Sequence, residues 1–237
     1  MKHLLYLILL LPFLSLAQIH SGTITYNVAL NKEEDESYKG KEELKALMMS
    51  VSKAAANVNY KLQFNAAYAK FNVDNKLAVK DSYLENLASI ISGNKGTYYT
   101  SLSEKKQIIK TDAGINIDAP IENEDWDLTK ETKKIGDFLC YKATKVKTVP
   151  KGDVTVVAWY TPEIPFAYGP NHYVGRLPGL ILELNGLMAT YKAKEIKLNP
   201  KKAIVIKWPK EKNNMSASEY KKAGDKLYQD RKDERKR

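Results

Sequence analysis

Residue types that commonly carry out chemistry are few in this chain of 237 residues. Of its three histidines, His3 and His20 lie near the start, which leaves only His172 in the body of the chain. Cys140 is the only cysteine, so an intrachain disulfide is excluded. Most zinc sites and most Ser/His or Cys/His catalytic schemes lose their ligands or their base in such a chain. The sequence therefore predicts no metal site and no cofactor.

His172 is the one histidine that is placed to act as a general base. That role requires a carboxylate to orient the ring and a nucleophile within hydrogen-bond reach. Glu163 and Glu183 are the candidate carboxylates, and a hydrolase that uses His172 with one of them is our alternative hypothesis. A lone loop histidine between Asn171 and Tyr173 is more commonly a surface hydrogen-bonding residue. We therefore assign no catalytic residue from the sequence.

Residues 161–179 form a predicted loop that is rich in proline and aromatic residues. Pro162, Pro165, Pro170 and Pro178 are four of the nine prolines in the chain. Because proline fixes φ and lacks a backbone N–H, we expect this loop to be stiff and mostly unable to pair as a strand. Its aromatic rings and polar side chains suit a binding role. The candidate binding residues in and beside it are Trp159, Tyr160, Glu163, Tyr168, His172, Tyr173 and Arg176.

Two interpretations of this loop remain open at this point. In the first, the loop is a structural lid that plugs one end of a sheet with its aromatic rings. In the second, the same rings and polar groups form a binding site, because functional residues are concentrated on loops held by a rigid scaffold.

The elements that must position this loop are mostly strands. Apolar and polar residues alternate over residues 21–30, which is typical of a half-buried strand. Asn185-Gly186 is the strongest hairpin signal, and residues 150–153 predict another turn, so we expect antiparallel pairing. Further strands are predicted around residues 60–66, 71–73, 97–101, 107–111, 125–128, 138–148, 154–160, 180–184, 187–196 and 203–208.

Three segments have helical patterns. Residues 41–57 carry an apolar stripe that we expect to face the core. A short helix is predicted after Ser82, and Ser216 with Glu219 predicts the cap of a polar C-terminal helix. The predicted fold is mainly β (α+β), a single curved antiparallel sheet or half-barrel covered by one amphipathic helix, with a polar C-terminal helix.

The first residues predict export. Lys2 and His3 precede an apolar run over residues 4–14, and Ser15-Leu16-Ala17 is a small-x-small cleavage site. A membrane span would need about 20 apolar residues, more than this run has. We expect residues 1–17 to be a signal peptide and the mature chain to start at Gln18. The expected location is the periplasm, the outer membrane or the outside of the cell.

The net charge and its distribution give little information about binding partners. The formal net charge is +10, and loss of Lys2 with the leader leaves 37 basic minus 28 acidic residues, or +9. The charges are mostly interspersed, apart from a basic C-terminal segment, so we expect no nucleic-acid partner. The mature chain is predicted to have no transmembrane segment. We expect a β-rich domain over residues 18–208 and a basic helical or frayed tail over residues 209–237.

A string of short motifs spans residues 126–184. It consists of Trp126, Thr132-Lys133-Lys134-Ile135-Gly136, Phe138, Cys140, Lys142-Ala143, Ala158-Trp159-Tyr160-Thr161, Glu163-Ile164-Pro165, Gly169-Pro170 and Leu177-Pro178-Gly179-Leu180-Ile181-Leu182-Glu183. This string resembles the GLPGLI family, which implies an exported protein of Gram-negative bacteria whose biochemical role is unknown. The family motif starts with a glycine where this chain has Arg176, and Gly175 lies one residue earlier.

The sequence therefore predicts an exported cell-envelope protein without enzymatic activity. Its loop at residues 161–179 would hold an apolar ligand, a peptide or an envelope protein, because sheets with covered mouths commonly form such concavities. The alternative is the hydrolase with His172 and Glu163 or Glu183.

Overall fold

The computed structural model describes residues 18–31, 38–74, 83–93, 96–121, 125–150, 152–210 and 213–234. The predicted signal peptide lies outside the described residues, as does Lys151 in the predicted turn before Gly152. The elements in chain order are β1 (Gly22–Leu30), α1 (Glu42–Ala55), β2 (Asn59–Phe64), β3 (Ala69–Val73), α2 (Tyr83–Ile91), β4 (Thr97–Ser101), β5 (Lys106–Lys110), β6 (Asn116–Pro120), β7 (Asp127–Ile135), β8 (Phe138–Val149), β9 (Gly152–Thr161), β10 (Leu180–Asn185), β11 (Ala189–Leu198), β12 (Asn214–Ser216) and α3 (Ala217–Glu234).

The twelve strands of the described part of the chain belong to one sheet, in the order β12-β6-β5-β4-β3-β2-β1-β11-β10-β9-β8-β7. The strands β2 to β6 each pair with the next along the chain, and so do β7 to β11. The first strand, β1, lies between these two meanders and pairs with β2 on one side and β11 on the other. The prediction of a mainly β protein is confirmed.

The sheet is mixed, so the expectation of a wholly antiparallel sheet is wrong at one edge. β12 runs parallel to β6, whereas every other described pair is antiparallel. The reason is that residues 199–210 carry the chain across the sheet before it reaches β6. Trp208 contacts Tyr68 and Tyr99, with ring centroids 5.2 and 6.5 Å apart, and Lys210 O accepts a hydrogen bond from Asn116 Nδ2.

Residues 203–208 belong to this crossing segment and are not a strand, contrary to the prediction. The strands that the segment passes already have hydrogen-bonded neighbours on both sides, so it has no sheet edge to join. It is held by side chains instead: Ile204 O accepts a hydrogen bond from Asn65 Nδ2, and Ile206 is buried.

One face of the sheet carries the core, and we call it the inner face. Val28, Tyr191, Leu184, Ala158 and Ala143 are successive cross-strand partners from β1 to β8, and all five are buried. Their chain neighbours point to the opposite face, where polar residues dominate, because side chains alternate along a strand.

The described residues form three helices, and their packing differs from the prediction of one covering helix. α1 contacts β1 and α2, so two helices lie together. Val51 and Ala55 of α1 are buried, but Leu44 and Leu47 remain 43% and 38% exposed. The predicted apolar stripe of α1 therefore packs only through its C-terminal half. None of the described helices is long and apolar enough to cross a bilayer.

Candidate functional site

The loop at residues 161–179 folds back on itself and is hydrogen-bonded to the start of β10. The backbone N–H groups of Leu180 and Ile181 donate to the carbonyl oxygens of Ile164 and Tyr168, over 3.1 and 2.9 Å. Gly175 N donates to Ala167 O over 2.7 Å within the loop. None of residues 162–179 is in a strand, as the proline content predicted.

Two glycines allow this close return of the backbone. A Cβ atom at Gly179 would overlap the carbonyl oxygen of Thr161, and one at Gly169 would lie 2.5 Å from the carbonyl oxygen of Tyr173. Both obstacles are backbone atoms, which cannot move aside as a flexible side chain can. The motif from Leu177 to Ile181 therefore needs its glycine for packing.

The Arg176 position is compatible with a side chain. The left-handed backbone conformation lies one residue earlier, at Gly175, where φ is +84°. Arg176 itself is exposed, and its Nη1 lies 4.0 Å from Asp125 Oδ1. The arginine thus occupies a solvent-facing position next to the glycine that makes the turn.

Several of the candidate binding residues are structural. Tyr168 is 1% exposed and stacks on Phe166, and burial raises its pKa to about 12. Tyr160 is also buried and packs beside Tyr141. Trp159 is half-buried, with Lys133 Nζ 4.3 Å from the centroid of its ring.

The two candidate carboxylates are engaged away from His172. Glu163 Oε1 accepts a hydrogen bond from the backbone N–H of Leu139 over 2.9 Å, which ties the loop to β8. Glu183 Oε1 accepts one from Lys133 Nζ over 2.6 Å, and its Oε2 lies 3.8 Å from Lys192 Nζ. These contacts do not favour the hydrolase hypothesis.

A cavity of about 710 Å³ lies at the tip of the loop, and we call it the Tyr173 cavity. It is bounded by the loop tip, the turn between β10 and β11, the end of α2, strands of the β2–β6 meander and α3. Its lining residues are Ser92, Gly93, Tyr98, Ile109, Ile117, Ala119, Pro120, Asn171, His172, Tyr173, Gly186, Leu187, Met188, Ala189, Tyr191, Ala217, Tyr220, Lys221, Gly224 and Asp225. Apolar and aromatic side chains predominate among them.

Of the residues predicted to bind, the structure brings only His172 and Tyr173 together at this cavity. Their rings are stacked with centroids 4.2 Å apart. On another side, the Tyr173 ring has Lys145 Nζ at 5.1 Å and Lys147 Nζ at 5.7 Å from its centroid. Trp126 also contacts Tyr173. Because neighbours surround it and it is 6% exposed, Tyr173 forms a rigid aromatic wall.

A buried hydrogen-bond network holds the loop tip in place. Asn171 Nδ2 donates to the Tyr191 hydroxyl over 3.0 Å, and that hydroxyl donates to Ser92 O over 2.6 Å. Gln107 Nε2 donates to Asn171 O over 3.1 Å. Asn171 Oδ1 and Gln107 Oε1 are buried and accept no hydrogen bond from the described residues. The network joins the loop tip to α2, β5 and β11, and burial raises the pKa of the Tyr191 hydroxyl.

Sequence reasoning missed the parts of the cavity that come from distant segments. Tyr98, Ile109 and Ile117 belong to strands far from the loop, and only the three-dimensional pairing brings them there. The contribution of α3 had a detectable signal, since Tyr220 and Gly224 are uncharged and lie four residues apart on one face of a helix in which ten of the eighteen residues are charged.

His172 and Asp225 are the two residues of metal-ligand type that line the cavity. No cluster of His, Cys, Asp or Glu among the described residues could hold a metal ion. Cys140 is a free thiol that is fully buried, and burial raises its pKa to about 11.

Comparisons with known proteins give a family of undefined role. A family model described as a protein of unknown function (Porph_ging) matches residues 147–183. That segment includes Leu177 to Ile181 and overlaps the string that resembles the GLPGLI family, although the model does not carry that name. No curated protein matches the chain. A solved structure of PNGF-II in a C2 crystal form superposes with a TM-score of 0.49 at 17% identity, covering 86% of this chain and 32% of that one.

Proposed function

We propose that this protein is a non-enzymatic binding protein of the cell envelope that holds a small, mostly apolar ligand in the Tyr173 cavity. The observation that carries the proposal is a largely apolar cavity of about 710 Å³ with a rigid aromatic wall. Small-molecule sites typically have volumes of roughly 300–1,000 Å³ and apolar linings with a few polar groups.

The arrangement of the walls favours a small molecule over a peptide or a protein partner. Five separate parts of the chain line the space, which is partly open to solvent, so a small molecule inside it can contact several of them at once. The polar side chains of the lining, apart from the tyrosine hydroxyls, are Ser92, Asn171, His172, Lys221 and Asp225. The expected ligand has an apolar body and one hydrogen-bonding group.

The location and family belong to the same proposal. Support for export comes from the leader pattern of residues 1–17, and the resemblance to the GLPGLI family points to the envelope of a Gram-negative bacterium. Membership of that family is supported by Gly179, whose position beside Thr161 O requires a glycine. We also propose that the sheet curves around its inner face, since one meander and the loop both reach the Tyr173 cavity.

Binding of N-phenyl-1-naphthylamine tests this function. The probe is a neutral apolar amine whose fluorescence rises in an apolar site, and it carries one N–H donor. The mature protein is expected to bind it saturably. Ala119→Phe places a ring in the cavity and should weaken binding by about tenfold or more, equivalent to ~1.4 kcal/mol.

Ala67→Phe is the matched control, because Ala67 is exposed in the turn between β2 and β3 and does not line the cavity. Circular dichroism establishes that both variants are folded. Absence of saturable binding to the parent protein, or equal binding by the two variants, would show that the Tyr173 cavity is not the binding site.

A further inference from the structure

We infer that α3 is a lid over the Tyr173 cavity and that an occupant of the cavity stabilises its closed position. This inference rests on the proposed function, because it describes how ligand would be admitted to the same site. Three features of α3 carry it: its attachment, its lack of buried side chains and the face it presents to the cavity.

The attachment of α3 is concentrated at its first turn. β12, which leads into the helix, has only three residues and pairs with β6. Ser216 and Glu219 form a capping box: Glu219 N donates to Ser216 Oγ over 3.2 Å, and Ser216 N donates to Glu219 Oε2 over 2.8 Å. The predicted cap is thus confirmed, and it fixes the point from which the helix extends.

Beyond this turn the helix has little to hold it against the protein. None of its eighteen residues is buried, and Tyr220 is the residue that packs against the core. Leu227 and Tyr228 are 53% and 66% exposed. Helices in proteins derive most of their stability from packing one face, so a helix with so little packing opens at low free-energy cost.

The inward face of α3 covers open space. The residues of α3 that line the cavity follow helical spacing: Ala217, Tyr220, Lys221, Gly224 and Asp225. A Cβ atom added at Gly224 would meet nothing within 4 Å outside the helix's own backbone. Gly224 is exposed and lines the cavity, so a ligand beside it would contact α3 and the other walls together.

This geometry couples occupancy to closure. A ligand that touches both α3 and the sheet loses its contacts with α3 when the helix opens. It therefore stabilises the closed position of the helix and shifts the population toward it. The same coupling makes a closed helix raise the affinity for the ligand, because linkage between two equilibria is reciprocal. Ligand binding and closure of α3 therefore stabilise each other.

Hydrogen exchange of the full mature chain, followed by mass spectrometry with and without N-phenyl-1-naphthylamine, tests the lid. In the free protein, amides of residues 221–234 should exchange at least about tenfold faster than those of β9 and β10. Saturating probe should slow exchange in α3, and least in its last turns, which lie beyond the cavity.

Substitutions at Gly224 provide a test that needs no ligand. Gly224→Phe should occupy the space beneath the helix, slow exchange in α3 without probe and lower probe affinity by about tenfold. Gly224→Ala improves helix propensity but leaves the space open, so it should retain binding. Ala223→Phe, at an exposed position outside the cavity lining, is the control for the added ring.

The outcomes separate the lid from the proposed function. If the probe binds the parent protein but leaves exchange in α3 unchanged, the lid is wrong and the binding function stands. If the probe does not bind, the proposed function fails. In that case the lid is overturned as well when Gly224→Phe slows exchange in α3 no more than Gly224→Ala does, because loss of the glycine alone favours the helix, and it survives when Gly224→Phe slows exchange further.

Discussion

Asn171 sets the direction of the loop tip through its backbone conformation. Its φ is +53°, in the left-handed region that asparagine tolerates better than most residues. The hydrogen bond from its side chain to Tyr191 fixes this turn, and His172 and Tyr173 follow directly at the cavity. The network around Asn171 therefore determines where the two candidate binding rings lie.

Residue types alone could not separate the loop's aromatic residues by role. Tyr168 and Tyr173 have the same side chain, lie in the same loop and both belong to the buried core, but only Tyr173 also lines the cavity. Tyr168 stacks on Phe166, whereas Tyr173 lies beside Lys145, and both contacts depend on the folded path of the loop. The sequence could predict that the loop is stiff and aromatic but not which ring is available.

Gly179→Ala tests the close return of the loop. The new Cβ would overlap the carbonyl oxygen of Thr161, so the backbone must shift, and we expect a loss of about 2 kcal/mol or more in the free energy of unfolding. Urea titration followed by circular dichroism measures this loss. Gly224→Ala is the control, since its Cβ meets no atom, and a parent-like midpoint for Gly179→Ala would contradict the packing described.

Elements with a buried face and a defined turn were predictable. β1 has clear alternation, and the Asn185-Gly186 signal lies at the turn between β10 and β11. β7 was predicted only at its start, because five of its nine residues are charged and it lies at the edge of the sheet. An edge strand with little burial does not need apolar alternation, and charges there discourage pairing between molecules.

The last turns of α3 should be dispensable for folding and for binding. The described residues there, 230–234, are exposed and lie beyond the cavity lining. A chain that ends at Gln229 should keep its thermal midpoint within about 2 °C and its affinity for N-phenyl-1-naphthylamine within about twofold. Differential scanning calorimetry and fluorescence titration measure the two quantities. A large drop in the midpoint would show that this segment docks.

At the scale of the whole molecule, the N-terminal segment is hydrogen-bonded to Asn199, directly after β11. Gln18 O accepts a hydrogen bond from Asn199 Nδ2 over 3.0 Å, and His20 N donates to Asn199 Oδ1 over 2.8 Å. A mature chain that begins at Gln18 would therefore keep every one of these contacts.

Intact-mass analysis of protein recovered from the envelope or the medium tests this maturation. We expect the mass of a chain that begins at Gln18, with no added lipid, because the apolar run ends at a small-x-small site and no cysteine follows it directly. Protein that keeps its first seventeen residues, or that carries an acyl group, would contradict the prediction.

The central place of β1 governs the order in which the molecule can fold. Each meander closes through local hairpins, but β1 pairs with both β2 and β11, and its partner for Gly22 is Leu198. Because the chain is synthesised from its N-terminus, β1 is available long before β11. Until β11 is available, the edge of β1 that pairs with it has unpaired backbone N–H and C=O groups. Because this pairing joins strands that are distant in sequence, we expect it to be a late and slow step in folding.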